Sequence, residues 1–129
     1  MSSETYHESP ELLSEPTRDM HRAITSLMEE LQAIDWYEQR AEATADSELR
    51  AILEHNRDEE VEHAVMLLEW LRRKRPSFAK NVGIYLGKTS PITWLEAAAA
   101  GKTEVAPGEG DDAGSLGVGS LKGTCTWIS

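Results

Sequence analysis

The chain has 129 residues, enough for one domain, and carries 13 Lys+Arg against 23 Asp+Glu, a net charge of −10. Phosphate-rich partners would be repelled by that balance, so nucleic acid and anionic membrane are excluded as main partners, while cation binding is permitted. The charge is uneven: residues 1–96 account for −8 and residues 97–129 for −2, so the folded part is expected to be about 96 residues plus a tail.

Residues 1–20 contain no apolar run, which argues against a secretory signal, and no stretch approaches the ~20 apolar residues of a membrane helix. The single cysteine, Cys125, excludes an intrachain disulfide scaffold and fits a reducing compartment. No CxxC pair, dinucleotide glycine fingerprint or P-loop is present, nor any Ser/His/Asp or Cys/His constellation.

Residues 1–13 are polar and are expected to be a flexible N-terminus. A first helix is predicted from Ser14 as N-cap, with Pro16 in the first turn, to about Ala43; Met20, Ile24, Leu27, Leu31 and Ile34 recur at helical spacing. Residues 44–47 read as a turn, with Asp46 or Ser47 capping a second helix that runs from about Glu48 to the basic run before Pro76. That run, Arg72 to Arg75, is read as a complement to the helix dipole and not as a nucleic-acid patch. Two helices of this length, about 42 Å each at 1.5 Å per residue, joined by a short turn make an antiparallel hairpin. Shorter helices are predicted over 77–86, stopped by Gly87, and from Ser90-Pro91 to Ala100, closed by Gly101. Seven of the nine glycines then fall in residues 101–129, which marks a flexible tail after a helical domain spanning 14–100.

The second helix is apolar around much of its girth: Leu49, Ile52, Leu53, Leu67 and Trp70 form one stripe, and Val61, Val65 and Leu68 another. One hairpin partner covers one stripe, and each large side chain left in water forgoes about 1.5–3 kcal/mol, so self-association is expected on packing grounds. Charged residues interrupt these stripes. Glu30 stands where the first helix calls for an apolar residue, and Glu60 and His63 share a face of the second. Glu30 lies about as far before the turn as Glu60 and His63 lie after it, so an antiparallel hairpin brings the three to one level. A carboxylate on a core face needs a partner or a cation. The alternatives are a buried Glu–His ion pair and a metal site.

Di-iron carboxylate bundles use a Glu from each of two helices and a Glu-x-x-His from each of the other two. One chain supplies half of that set; two hairpins about a two-fold axis supply all of it. Carboxylate and imidazole donors suit iron or manganese, and also zinc. His55 with Glu59 is a weaker candidate pair that reads as a solvated face, His7 and His21 give no signal, and Trp36 and Tyr37 read as packing near Glu30, as a shield for a metal or as electron donors.

The segments MEELQAIDWYEQR (28–40) and HNRDEEVEHAVMLLEWLRR (55–73), with the spacing between them, resemble the encapsulated ferritins, the ferritin-like cargo of encapsulin nanocompartments in the bacterial cytoplasm. The resemblance implies an all-α hairpin that dimerises into a ferritin-like four-helix bundle, with dimers joining in a ring of ten chains. It implies ferroxidase activity, Fe(II) oxidised by oxygen at a two-iron site between chains, with ligands on Glu30, Glu60 and His63 and with Trp36 and Tyr37 beside the centre. It implies a metal-attraction site at Glu29, although the family's accompanying carboxylate is here the neutral Gln32. The stretch GSLGVGSLK (114–122) resembles the family's targeting peptide, in which Leu116, Val118 and Leu121 would dock to the shell protein. Residues 123–129 have no reading. The competing interpretation is a non-catalytic helical assembly or adaptor module in which a metal only bridges chains.

Overall fold

A computed structural model describes residues 6–101 of the chain. Among them there are helices and turns and no strand: α1 (Glu15–Ala43), α2 (Ser47–Lys74), α3 (Pro76–Tyr85) and α4 (Ile92–Ala99). The chain divides into two units, residues 1–76 and 77–129. The expectations for 1–5 and for the tail, including Leu116, Val118 and Leu121, lie outside the described residues.

In the first unit α1 and α2 pack along their length as an antiparallel pair. Their ends follow from side-chain chemistry. The Ser14 hydroxyl accepts from the Thr17 amide at 3.3 Å, and Pro16 occupies the first turn, where no amide is needed. The turn is short because Asp46 caps α2 at once, its carboxylate accepting from the amides of Glu48 (2.9 Å) and Leu49 (3.0 Å). Arg50 latches the same turn from inside: its Nε donates to the Ala41 carbonyl at 2.9 Å and its Nη2 to the Thr44 carbonyl at 2.6 Å. Arg72, Arg73 and Lys74 close α2 against the dipole, and Pro76 bars its continuation.

One local feature carries no helix signal in the sequence. Residues Pro10–Leu12 form a single 3-10 turn, and the Arg18 guanidinium donates to the Pro10 carbonyl at 2.6 Å. Tyr6 stacks on His21, with ring centroids 4.3 Å apart. The stretch ahead of α1 is thereby tied to it.

The fully buried part of the seam between α1 and α2 is narrow and mostly alanine, flanked by half-buried larger side chains. Ala23 and Ala41 of α1 and Ala64 of α2 are buried, and Leu71, at 1% exposure, is the one large side chain fully enclosed among the described residues. Much of the apolar surface lies outside the seam. Ile24, Met28 and Leu31 on α1 and Ile52, Val61, Val65 and Met66 on α2 are all exposed. They fall on two opposite flanks of the hairpin: His63 and Val65, two residues apart, are 200° apart around α2.

At the division between the units, α3 begins on Pro76; it ends before Gly87, whose φ of 76° only glycine adopts without strain. The Ser90-Pro91 signal acts one position later than its pattern suggests. Pro91 is itself the N-cap of α4, with no side-chain cap bond, and Gly101 (φ 78°) follows the C-cap residue Ala100.

Candidate metal centre

Glu30, Glu60 and His63 come together midway along the hairpin. The contact between Arg50 and the Ala41 carbonyl sets the register. In an antiparallel pair, level residues keep a constant sum of numbers, so Glu30 stands level with Val61, between Glu60 and His63. One donor atom from each of the three lies within 4.8 Å of the others. His63 Nδ1 is 3.2 Å from Glu60 Oε1 and 3.7 Å from Glu30 Oε1. The two carboxylates are about three-quarters covered (25% and 23% exposed) and His63 about half.

The protonation states are those of acids pressed together. The Glu30 carboxyl is held above its usual range, first because it shares a hydrogen bond with Glu60, then by burial and by the Glu60 charge. The Glu60 carboxyl is held below its usual range by accepting that hydrogen bond, with a further one from His63. The His63 imidazolium is stabilised by its hydrogen bond to Glu60 and by the charges of Glu30, Glu60 and Glu62.

A bound divalent ion fits this donor set. Metal–oxygen and metal–nitrogen bonds of about 2.0–2.2 Å put opposite ligands roughly 4 Å apart, so donors within 4.8 Å close on an ion by small side-chain rotations. Metal binding competes with protonation of Glu30 and His63. Affinity for a divalent ion is therefore expected to fall as pH drops through the raised values of these two groups and to level off above them. Titrations of Co(II) at several pH values in two buffers of different ionisation heat check this. Affinity independent of pH, with no proton release, would contradict it.

A cleft of about 700 Å³ opens beside Glu30 and His63, bordered by Ser26, Met66 and Trp70 among others. Ile52 is eleven residues, or three turns, before His63 and shares its face. The centre thus opens onto a flank that carries exposed apolar side chains.

The other expected residues lie outside the three-residue donor set. Glu29, one residue and 100° from Glu30, is exposed and lines a separate cleft of about 640 Å³ with Gln32, His7 and His21. Trp36 is exposed at 47% and Tyr37 is half-buried. The Arg40 guanidinium lies 5.8 Å from the centroid of the Trp36 ring and 5.5 Å from that of Tyr37. His55 pairs with Glu59 at 3.1 Å on the solvated face. Two features had no flag in the sequence. Arg57 Nη1 donates to Glu38 Oε1 of the other helix at 2.6 Å, and Arg40 covers both aromatics. The second follows from i+3 and i+4 spacing; the first depends on inter-helix register, which local spacing does not encode.

Comparison with known proteins places this geometry in context. A family model described as EncFtn-like matches residues 5–89. An encapsulated ferritin-like protein of Rhodospirillum rubrum is 54% identical over 129 residues, covering 95% of this chain and 91% of that protein. A ferritin-like protein of Thermotoga maritima is 44% identical over 119 residues, covering 92% of this chain and 99% of that one. The crystal structure of a Nitrosomonas europaea protein, 59% identical, superposes with a TM-score of 0.67 over 68% of this chain and 97% of its own. The chain belongs to the EncFtn-like family, the encapsulated ferritins, and its long helical hairpin is consistent with a ferritin-like helical fold.

Proposed function

We propose that the protein is a ferroxidase, oxidising Fe(II) to Fe(III) with oxygen at a two-iron site formed between two chains. The observation that carries this reading is the convergence of Glu30, Glu60 and His63 on a half-covered face. The set is half of what a di-iron carboxylate centre uses. The missing half and the missing core have one remedy, a second copy laid against the Ile52/Met66 flank. The site then holds two Glu30, two Glu60 and two His63.

Fe(II) is both substrate and occupant of the site, which Glu30, Glu60 and His63 would hold; iron would supply the redox chemistry, two Fe(II) losing one electron each and one O2 being reduced by those two electrons with uptake of two protons. The protein contributes position and charge. Glu30 and Glu60, already held close together, would offer two carboxylates to one cation and so bind iron more tightly than two independent carboxylates would. His63 is held toward both carboxylates by its Nδ1 contacts. Met66 and Trp70, covered by the partner, exclude bulk water from the cleft. Glu29 draws cations toward the centre; with Gln32 neutral beside it, that attraction rests on a single carboxylate of the pair. Trp36 and Tyr37 shield the centre or donate electrons to it.

The second apolar flank, Met28, Leu31, Val61 and Val65, stays open after such pairing and joins dimers into a ring, in the family's manner ten chains. A hairpin ring has no storage cavity of its own. Fe(III) is accordingly delivered to mineral inside an encapsulin shell in the bacterial cytoplasm, to which residues 114–122 tether the protein.

The test is direct. Fe(II) added in air to the assembled protein is expected to give ferric absorbance with stoichiometric oxygen uptake, and no absorbance without oxygen. Metal-dependent dimerisation with no oxygen consumption would instead make the metal a structural bridge.

A further inference from the structure

The α1–α2 seam poses a mechanical problem. Three of its buried apolar residues are alanines, Ala23, Ala41 and Ala64. Short, smooth side chains resist sliding weakly, so the register leans on Leu71, on half-buried side chains and on directional contacts. A slip of one residue moves α1 against α2 by about 1.5 Å. That is most of a metal–ligand bond of roughly 2.0–2.2 Å, and functional constellations need their members held within about 0.5 Å. Something directional must fix the register at the centre.

Glu38 and Arg57 are built for this. Arg57 Nη1 donates to Glu38 Oε1 across the helices at 2.6 Å, and its Nε donates to Asp58 at 2.9 Å, which pins the guanidinium on α2. Arg57 is 26% exposed, so its fork is held against the hairpin and not free in solvent. It lies three residues before Glu60, within one turn on the same side of α2. By the register set above, Glu38 is level with Leu53, one turn from Arg57. The pair is therefore an oblique strut, and sliding either way stretches or compresses it. The Arg50 latch acts at the turn end, about 17 Å from Glu30 by the rise per residue, and the strut holds the same register closer to the centre.

We propose that Glu38 and Arg57 are positioning residues of the metal centre, their strut setting the distance from Glu30 to Glu60 and His63; this rests on those three residues holding metal. A partly exposed ion pair adds little to stability, and register is what such pairs are best suited to specify.

The test uses the full-length assembled protein and Co(II) as probe, read by its visible absorption. Glu38→Gln and Arg57→Leu are each expected to weaken Co(II) binding roughly 10- to 100-fold, the usual cost of losing a group that orients metal ligands, and to shift the spectrum, with helicity retained. The exchange Glu38→Arg with Arg57→Glu is expected to restore both affinity and spectrum. Should Arg57→Leu not fold, Glu38→Gln, which alters one exposed side chain, carries the test. Unchanged affinity and spectrum in Glu38→Gln, or an exchange variant no better than the single ones, overturns the inference. Glu30→Ala in the same titration separates the two levels. If it binds Co(II) as the parent does, the metal-site reading falls and the strut with it. If it loses binding while Glu38→Gln does not, the strut alone falls.

Discussion

Replacing Glu30 by alanine is expected to lower the initial rate of iron oxidation by on the order of 100-fold or more, with the oligomer intact. Losing a group that merely orients a ligand already costs about 10–100-fold in metal affinity or activity. Glu30 does more than orient, because it is the only member of the triad on α1. Its removal leaves each half-site with donors from one helix, and two-fold pairing removes it twice from the same centre. His63→Ala is expected to behave similarly, since the imidazole is the sole nitrogen donor. Glu29→Ala, one position away but facing the other cleft, is expected to slow iron uptake at low Fe(II) and leave the saturating rate unchanged. The measurement is ferric absorbance after rapid mixing, beside sedimentation of each variant. Full activity in Glu30→Ala would remove the residue from the site.

The second large effect concerns assembly. Ile52 is 53% exposed in the isolated hairpin and shares the face of His63. In the proposed pair it would be covered, and by two-fold symmetry covered twice. Each such side chain contributes about 1.5–3 kcal/mol when buried. Ile52→Asp removes two of these contributions and adds two carboxylates to an acidic interface, so pairing is expected to weaken at least about 100-fold at 1.4 kcal/mol per tenfold. Metal binding is expected to fail with it, because the other half of the ligand set is gone. Val65→Asp, on the opposite flank, is expected to do something different: dimers persist, bind metal and no longer join into the larger ring. Sedimentation velocity across a dilution series, with and without metal, checks both. Identical behaviour of the two variants would contradict the assignment of the flanks.

Much of this arrangement was legible in the sequence because it is local. Ser14, Asp46, Pro76 and Gly87 act within one turn of where they stand, so α1 to α3 begin and end within a residue or so of their signals. The triad was legible for another reason: a carboxylate in an apolar stripe is an anomaly at a known helical phase, and a short turn converts phase into depth. Features that depend on the inter-helix contact were not legible. The Glu38–Arg57 strut joins residues 19 apart whose meeting follows only from the register. The Arg18 bond to the Pro10 carbonyl depends on the chain folding back before α1, in a stretch with no periodicity. Ser90-Pro91 marked the start of α4, and only the backbone shows that Pro91 is the cap and Ile92 the first helical residue.

The central claim is that the metal is shared: each chain holds half a site, and oxidation belongs to the pair. Anomalous scattering at the iron edge, from crystals of the assembled protein grown with Fe(II), tests it most directly. The account predicts two iron peaks at each two-fold interface, ligated by Glu30, Glu60 and His63 of both chains. A single peak enclosed by one chain's triad, or iron bound away from these residues, would contradict it.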